Sequence, residues 1–271
     1  MDPYRELQEA RNRESRDGWA RFAGHRAEVT RRIEAAATDQ KASLCLLGAG
    51  NANDIDLQTL IRQYSRIELV DLDSTALQGG VQRQDLSPSR QLTLCEVDVT
   101  GGLARLDLGS RDQWTDVVQQ TPEWTPERFS VVVSVCLLSQ LVESMVMLLG
   151  ATCVELPDAV IDLRRQHLRC LASLLKPGGR GILITDFVSN QTCPELAELD
   201  SLMLAQAAKK WIEQNNFFMG TNPFAIRRQI ENELRDCIDA AQIQIDRPWK
   251  WDLGPRVYAV SAVSFRKQAT A

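Results

Sequence analysis

The chain has 271 residues, 44% hydrophobic and 25% charged, with a formal net charge of −5, which suits one large α/β domain with additions. No apolar run approaches the roughly 18 residues of a membrane span, and an acidic balance argues against a nucleic-acid partner. The seven cysteines are scattered without a CxxC pair and there are only two histidines, so neither a disulfide framework nor a metal site is expected.

Residues 4–37 read as one helix, free of proline, with Trp19, Phe22, Val29 and Ile33 able to share a face. Its opening, MDPYRELQEARNRESRDGW, lacks the apolar core of a signal peptide, and a cytoplasmic location is the expectation. SLCLL (43–47) reads as a buried strand, DLQTLIRQY (56–64) as a helix and RIELVDLD (66–73) as a second strand. LTLCEVDV (92–99) is a third strand and FSVVVSVCLL (129–138) a fourth. IDLRRQHLRCLASLL (161–175) is a helix closed by Lys176-Pro177-Gly178-Gly179, and RGILITDF (180–187) is a fifth strand. Two helices, 195–214 and 223–238, follow. AQIQIDRPWKWDL (241–253) and RVYAVSAVSFRK (256–267) then flank Gly254-Pro255 as a hairpin at the sheet edge.

Strands alternating with helices imply right-handed crossovers. The expected fold is α/β and doubly wound, with a mostly parallel seven-stranded sheet, a C-terminal antiparallel hairpin and an N-terminal helical extension. The expected division is a helical cap over 1–40 and an α/β domain over 41–271, with 187–242 as a helical insertion and possible substrate cover.

The chemistry centres on LCLLGAGNANDIDL (44–57). Gly48 and Gly50 can take positive φ and let backbone amides approach a ligand. A dinucleotide fingerprint would carry a third glycine where Asn53 stands, which weakens a pyrophosphate reading. Asp71, about 20 residues on at the end of the second strand, can accept hydrogen bonds from two ribose hydroxyls, with Asp73 as its competitor. Asp98, closing the third strand, can receive an adenine amino group, with Leu72 and Val99 flanking the ring. The plainer alternative for these acids is a solvated turn.

At this point the chain resembles the class I S-adenosylmethionine-dependent methyltransferases over roughly residues 43–187 and the terminal hairpin. The carriers are LLGAGNAND, LVDLD, EVDVTG, SVVVSVCLLSQL and LLKPGGRGILITDF. The resemblance implies that Gly48 and Gly50 line the methionine part of S-adenosyl-L-methionine. Asp71 would hold the ribose and Asp98 the adenine, with Ser134 and Cys136 facing the cofactor from the other side. Asn51 and Asp54 can cap the following helix and reach the cofactor's amino group.

Methyl transfer needs approach and orientation more than a protein base, and no diagnostic base stands out. After the fourth strand, Val135-Cys136-Leu137-Leu138 replaces the Asn/Asp-Pro-Pro-Tyr of nucleic-acid amino methylases. His25, Gln140, Asp186 and Phe218 are the candidates for the substrate side. His167 reads as a packed helix residue, and Trp249 with Trp251 as packing of the hairpin. Phe218 belongs to an aromatic cluster with Trp211, Phe217, Met219 and Phe224, which either cements two helices to the sheet or covers an apolar pocket. The expected function is methyl transfer to a small, partly apolar molecule. An NAD(P)-dependent Rossmann oxidoreductase and a non-catalytic adenosylmethionine-binding protein are the alternatives.

Overall fold

The computed structural model describes residues 3–100, 102 and 128–269; Gly101, which ends the EVDVTG motif, lies outside them. The strands are β1 (Ser43–Leu47), β2 (Arg66–Asp71), β3 (Leu92–Glu96), β4 (Phe129–Val135), β5 (Leu175–Ser189), β6 (Ile238–Ile245), β7 (Trp249–Asp252) and β8 (Val257–Lys267). They form one sheet in the order β3-β2-β1-β4-β5-β8-β6, with β7 also paired to β8. The first five strands run parallel and β8 is antiparallel to β5.

The helices are α1 (Pro3–Ser15), α2 (Ala23–Ala36), α3 (Leu57–Leu60), α4 (Ser74–Arg83), α5 (Leu137–Leu149), α6 (Leu156–Ser173), α7 (Leu204–Glu213) and α8 (Pro223–Glu233). Successive side chains of a strand point to opposite faces, so each central strand feeds two cores. Leu44, Leu46, Val131, Val133, Ile182 and Ile184 pack on the α2–α4 side. Cys45, Leu47, Val132 and Leu183 pack on the α5–α6–α8 side. Continuous apolar strand sequences are what a sheet covered on both faces requires.

Several element boundaries differ from the expectation, each for a local reason. The long first helix is two, because the chain reverses at Gly18, whose N–H bonds Ser15 O at 2.8 Å. A side chain at Gly18 would press on the Phe22 ring. The fourth strand stops at Val135, since Cys136 takes φ +49 and turns the chain into α5. The helix expected over 56–64 keeps only α3, and the one expected over 161–175 begins earlier, at Leu156. Lys176-Pro177-Gly178-Gly179 is not a loop before β5 but a register shift inside it, between the pairs Phe129–Leu175 and Val131–Arg180. The span 195–214 holds a 3-10 turn (Pro194–Ala197) and then α7, and α8 ends at Glu233, where β6 takes over five residues later.

The hairpin's first arm is interrupted. β6 and β7 both lie along the same edge of β8, pairing with Ile245–Val263 and then Trp249–Val260. Pro248 stands between them, and proline has no N–H to give the ladder. The sheet is therefore seven strands across, with the last one broken in two.

Gly181 offers a test of the β5–β8 seam. A methyl group there would overlap the Phe265 ring on β8, and both residues are interior. Gly181→Ala should lower stability by about 1–3 kcal/mol, the range for overpacking a well-packed core, measured by urea denaturation. Combining it with Phe265→Leu should recover part of the loss.

Candidate functional site

The site is built at the carboxyl ends of the parallel strands, where open α/β sheets bind ligands. The turn after β1 has Gly48 at φ +74 and Gly50 at φ +44. The Gly48 and Ala49 amides both donate to Val70 O, at 2.9 and 3.2 Å. A methyl group at Gly48 would lie 2.8 Å from Leu137 Cβ, and one at Gly50 2.9 Å from Asn12 Oδ1. The two glycines thus admit α5 on one side and α1 on the other.

Asn53, in the third-glycine position, donates to Ser15 O at 2.7 Å and accepts from Arg83 at 3.1 Å. The close packing that a third glycine would provide comes instead from Gly80 on α4, where any side chain would collide with Asn51 O. Nothing in the local sequence marks Gly80, because its role is a contact between distant segments.

Asp71 ends β2 with both oxygens engaged by backbone: Gly50 N donates to Oδ2 at 2.8 Å and Asp73 N to Oδ1 at 3.0 Å. Burial pushes its carboxyl above the usual range despite these donors. Each carboxylate oxygen accepts more than one hydrogen bond. Asp73, the competing acid, caps α4 through Ala76 N at 3.0 Å and accepts from Asn12 at 3.1 Å. Both of its oxygens accept within the fold. Asp98 accepts from Thr100 N at 2.9 Å and Thr100 Oγ1 at 2.5 Å, a turn of its own.

A cavity of about 690 Å³ opens beside these groups. Gly48, Gly50, Asn51 and Asp54 line it from the first turn, with Asp71 and Leu72 from the second and Asp98 and Val99 from the third. Cys136 and Gln140 line it from the start of α5, Asp186 from β5 and Phe218 from the insertion. Two of the residues expected from sequence are elsewhere. Ser134 is fully buried within β4, its hydroxyl 2.8 Å from His167 Nε2, because it precedes the turn that Cys136 makes. His25 is buried behind the cavity wall, stacked on Trp251 at 4.5 Å between ring centroids.

The helix-capping role expected of Asn51 and Asp54 belongs to others. Asp56 caps α3. Asn51 instead donates to Asn12 O at 2.5 Å and Ser15 Oγ at 3.1 Å, pinning α1 over the turn. Arg5 reaches Leu72 O and Glu96, Gln8 reaches Ser144, and Arg11 reaches Glu143. Helix α1 therefore lies across the cavity, tied to both walls by polar contacts. Tyr4, Gln8, Arg11, Asn12 and Ser15 are part of its lining.

The aromatic cluster of the insertion divides. Trp211 and Phe217 join Phe187, Val188 and Leu196 in a third core against Val257 and Ala259. Phe218 and Met219 line the cavity, and Phe224 is exposed. Trp249 is core packing, but Trp251 forms cavity wall together with Tyr258, at 5.4 Å between ring centroids.

His25, Asp54 and Asp186 lie around Cys136. Trp249 Nε1–H donates to His25 Nδ1 at 3.1 Å. Indole nitrogen only donates, so Nδ1 is unprotonated and the neutral ring carries its hydrogen on Nε2. That nitrogen faces Asp54 Oδ1 at 3.5 Å and Cys136 Sγ at 3.8 Å. Burial raises Asp54 to about 7. Burial lowers His25 to about 3 and His167 to about 4. Asp186 accepts from Ser139 Oγ at 2.5 Å, and burial raises its carboxyl as well.

No family model and no curated protein sequence matches the chain. Solved structures to which it is similar include methyltransferases. The N-methyltransferase NodS from Bradyrhizobium japonicum WM9 is 12% identical, with 91% of this chain and 97% of that one covered and a TM-score of 0.47. The 1,6-didemethyltoxoflavin-N1-methyltransferase of Burkholderia thailandensis, with bound 1,6-didemethyltoxoflavin and S-adenosylhomocysteine, is 15% identical over 97% and 87% of the two chains, with a TM-score of 0.49. An rRNA methylase from Streptococcus thermophilus is 11% identical over 88% and 93%, with a TM-score of 0.40. Among the described residues, no helix is long and apolar enough to cross a membrane.

His25 and His167 are the chain's only histidines, so proton NMR should show no imidazole titrating between pH 5 and 8. The linkage sign follows from pKa values depressed below the unfolded value of about 6.5. The unfolded chain takes up protons that the folded one refuses, so the two histidines cost stability as pH falls from about 6.5 toward 4. His25→Gln should flatten that slope.

Proposed function

We propose that the chain is an S-adenosylmethionine-dependent methyltransferase acting on a small, partly apolar molecule. The observation that carries this reading is the convergence of the glycine turn, Asp71 and Asp98 on one wall of a single cavity. A nucleoside offers hydroxyls to an acid at the end of β2 and an amino group to Asp98, two residues past β3, which stops at Glu96 and not at Val99. Leu72 and Val99 supply apolar surface between them.

The residues fit the cofactor. Gly48 and Gly50 put bare backbone on the cavity wall, and Asp54 Oδ1, buried and 3.5 Å from His25 Nε2, makes no hydrogen bond. In this reading Asp71 holds the ribose, Asp98 the adenine, and Asp54 with Gly48 and Gly50 the amino-acid end. When bound, the cofactor supplies an electrophilic methyl group. The chain binds and orients both partners and excludes water beneath α1.

A pyrophosphate-bearing cofactor fits less well. The helix after the glycine turn, α3, has four residues, and its N-terminus is capped by Asp56. It has little positive end to offer a phosphate. The acidic lining, with Asp54, Asp71, Asp98, Glu143 and Asp186, argues the same way against a phosphate-rich acceptor or a nucleic acid. A small-molecule enzyme is the reading that combines these features.

Calorimetric titration with S-adenosylhomocysteine should show one site per chain, and NAD(P) none. Asp71→Asn should weaken S-adenosylhomocysteine binding by about 1.5–3 kcal/mol, the scale of hydrogen bonds to a charged group. A larger loss from Asp73→Asn than from Asp71→Asn would reject the ribose assignment. Affinity should also rise with pH through about 7, where Asp54 gives up its proton, because only the carboxylate attracts the ligand's ammonium. Asp54→Asn should abolish that pH dependence; a slope that survives the substitution removes Asp54 from the site.

A further inference from the structure

β5 carries one extra residue against β8. Asp186 faces Val260 and Val188 faces Ala259, which leaves Phe187 as a bulge. Bulges re-aim side chains next to binding sites. Phe187 O accepts from Phe218 N at 2.7 Å, which seats the Phe218 ring at the cavity. Asp186, just before the bulge, presents its carboxyl to the same space. Tyr258 stands two residues from Asp186's partner on β8, and Trp251 pairs with Tyr258 on β7. Two-residue alternation puts all three side chains on one face of the sheet.

One carboxyl and three rings thus bound this end of the cavity. Phe218 meets Tyr258 edge-on at 6.3 Å, and Trp251 is tilted against Tyr258 at 5.4 Å. Ser139 Oγ fixes one oxygen of Asp186. The charges acting on it include Arg11 and Glu143, which pair with each other, and Asp54 interacts with it as well. Arg256 also lines the cavity; it donates to Tyr258 OH at 3.2 Å and its guanidinium lies 5.9 Å from that ring's centroid, so a ligand cation shares the Tyr258 ring with a resident one. Aromatic faces and a carboxylate together favour a cation over a neutral group of the same shape.

We infer that this end of the cavity takes an amine as methyl acceptor, with Asp186 accepting its N–H and the rings of Trp251, Tyr258 and Phe218 facing the cation that results. The inference rests on the methyl-transfer reading. In such a transfer the nitrogen lone pair forms the N–C bond while the carbon–sulfur bond opens with its electron pair going to sulfur. The positive charge therefore moves from sulfonium to ammonium. An alcohol acceptor would instead lose its proton and end as a neutral ether, leaving the rings and the carboxyl no charge to meet.

The two outcomes can be compared on one skeleton with N-methylbenzylammonium and benzyl methyl ether, titrated calorimetrically into the protein with and without saturating S-adenosylhomocysteine. The ammonium should bind at least about tenfold more tightly, the factor that one hydrogen bond to a charged group supplies. Asp186→Asn should remove most of that preference, leaving the ether's affinity and the melting temperature unchanged. Trp251→Leu should weaken the ammonium more than the ether. Equal binding of the two probes, binding of neither, or a preference that survives Asp186→Asn overturns the inference. If Asp186→Asn does not fold, the preference of the unaltered protein and its loss in Trp251→Leu decide the matter. Absence of S-adenosylhomocysteine binding would instead reject the methyl-transfer reading, while the probe comparison on the ligand-free protein still judges the amine.

Discussion

The carboxylate of Asp71 organises the nucleotide end of the molecule. Its two oxygens take the backbone amides of Gly50 and Asp73, so one side chain fixes both the turn after β1 and the entry to α4. A buried carboxylate without partners would be severely destabilising. Here two oriented amides offset that cost, and the geometry they impose leaves the acid facing the cavity. Asn12 then builds on this frame by donating to Asp73 and accepting from Asn51, and α1 comes to rest where it does.

Helix α1 is an unusual cover because apolar burial contributes so little to it. Gln8 is its one buried residue among those described, and Tyr4 its partly buried hydrophobe against the core. Its attachment is a series of hydrogen bonds and half-exposed ion pairs such as Arg5–Glu96 and Arg11–Glu143. Exposed pairs of this kind contribute about 0–1 kcal/mol each. The segment that lends Phe218 and Met219 to the cavity is the reverse case, anchored by Trp211, Leu204 and Leu196 in a core at the β5–β8 end of the sheet.

The parallel sheet was legible because its strands are continuous apolar runs and both faces are buried, a pattern that survives without tertiary information. The placement of Gly48, Gly50, Asp71 and Asp98 beside one cavity was legible because positions at and just past strand ends repeat along a doubly wound fold. What escaped depends on contacts between distant segments. Gly80 matters because Asn51 O passes over it. Trp251 read as packing because its neighbour Trp249 is packing, and two residues along a short edge strand gave no hint that one ring reaches the cavity. His25 followed aromatic residues that suggested a site, yet Trp249 and Trp251 draw it into the core. The break at Gly18 was hidden because a lone glycine within a helical pattern is weak evidence, and α1 shows no apolar stripe to mark where the face changes.

Pro248 has a consequence beyond the course of the chain. β6 and β7 form the free margin of the sheet on one side, and an unbroken margin presents a row of unpaired amides and carbonyls on which another molecule can polymerise. Eight residues, then a stop without an N–H, then four more leave no long template for such growth. The outward positions Asp239, Gln242 and Gln244 are exposed and polar. The same proline that splits the last strand therefore guards this sheet edge against edge-to-edge aggregation, while β7, shifted from β6 by one residue of register, carries Trp251 to the cavity.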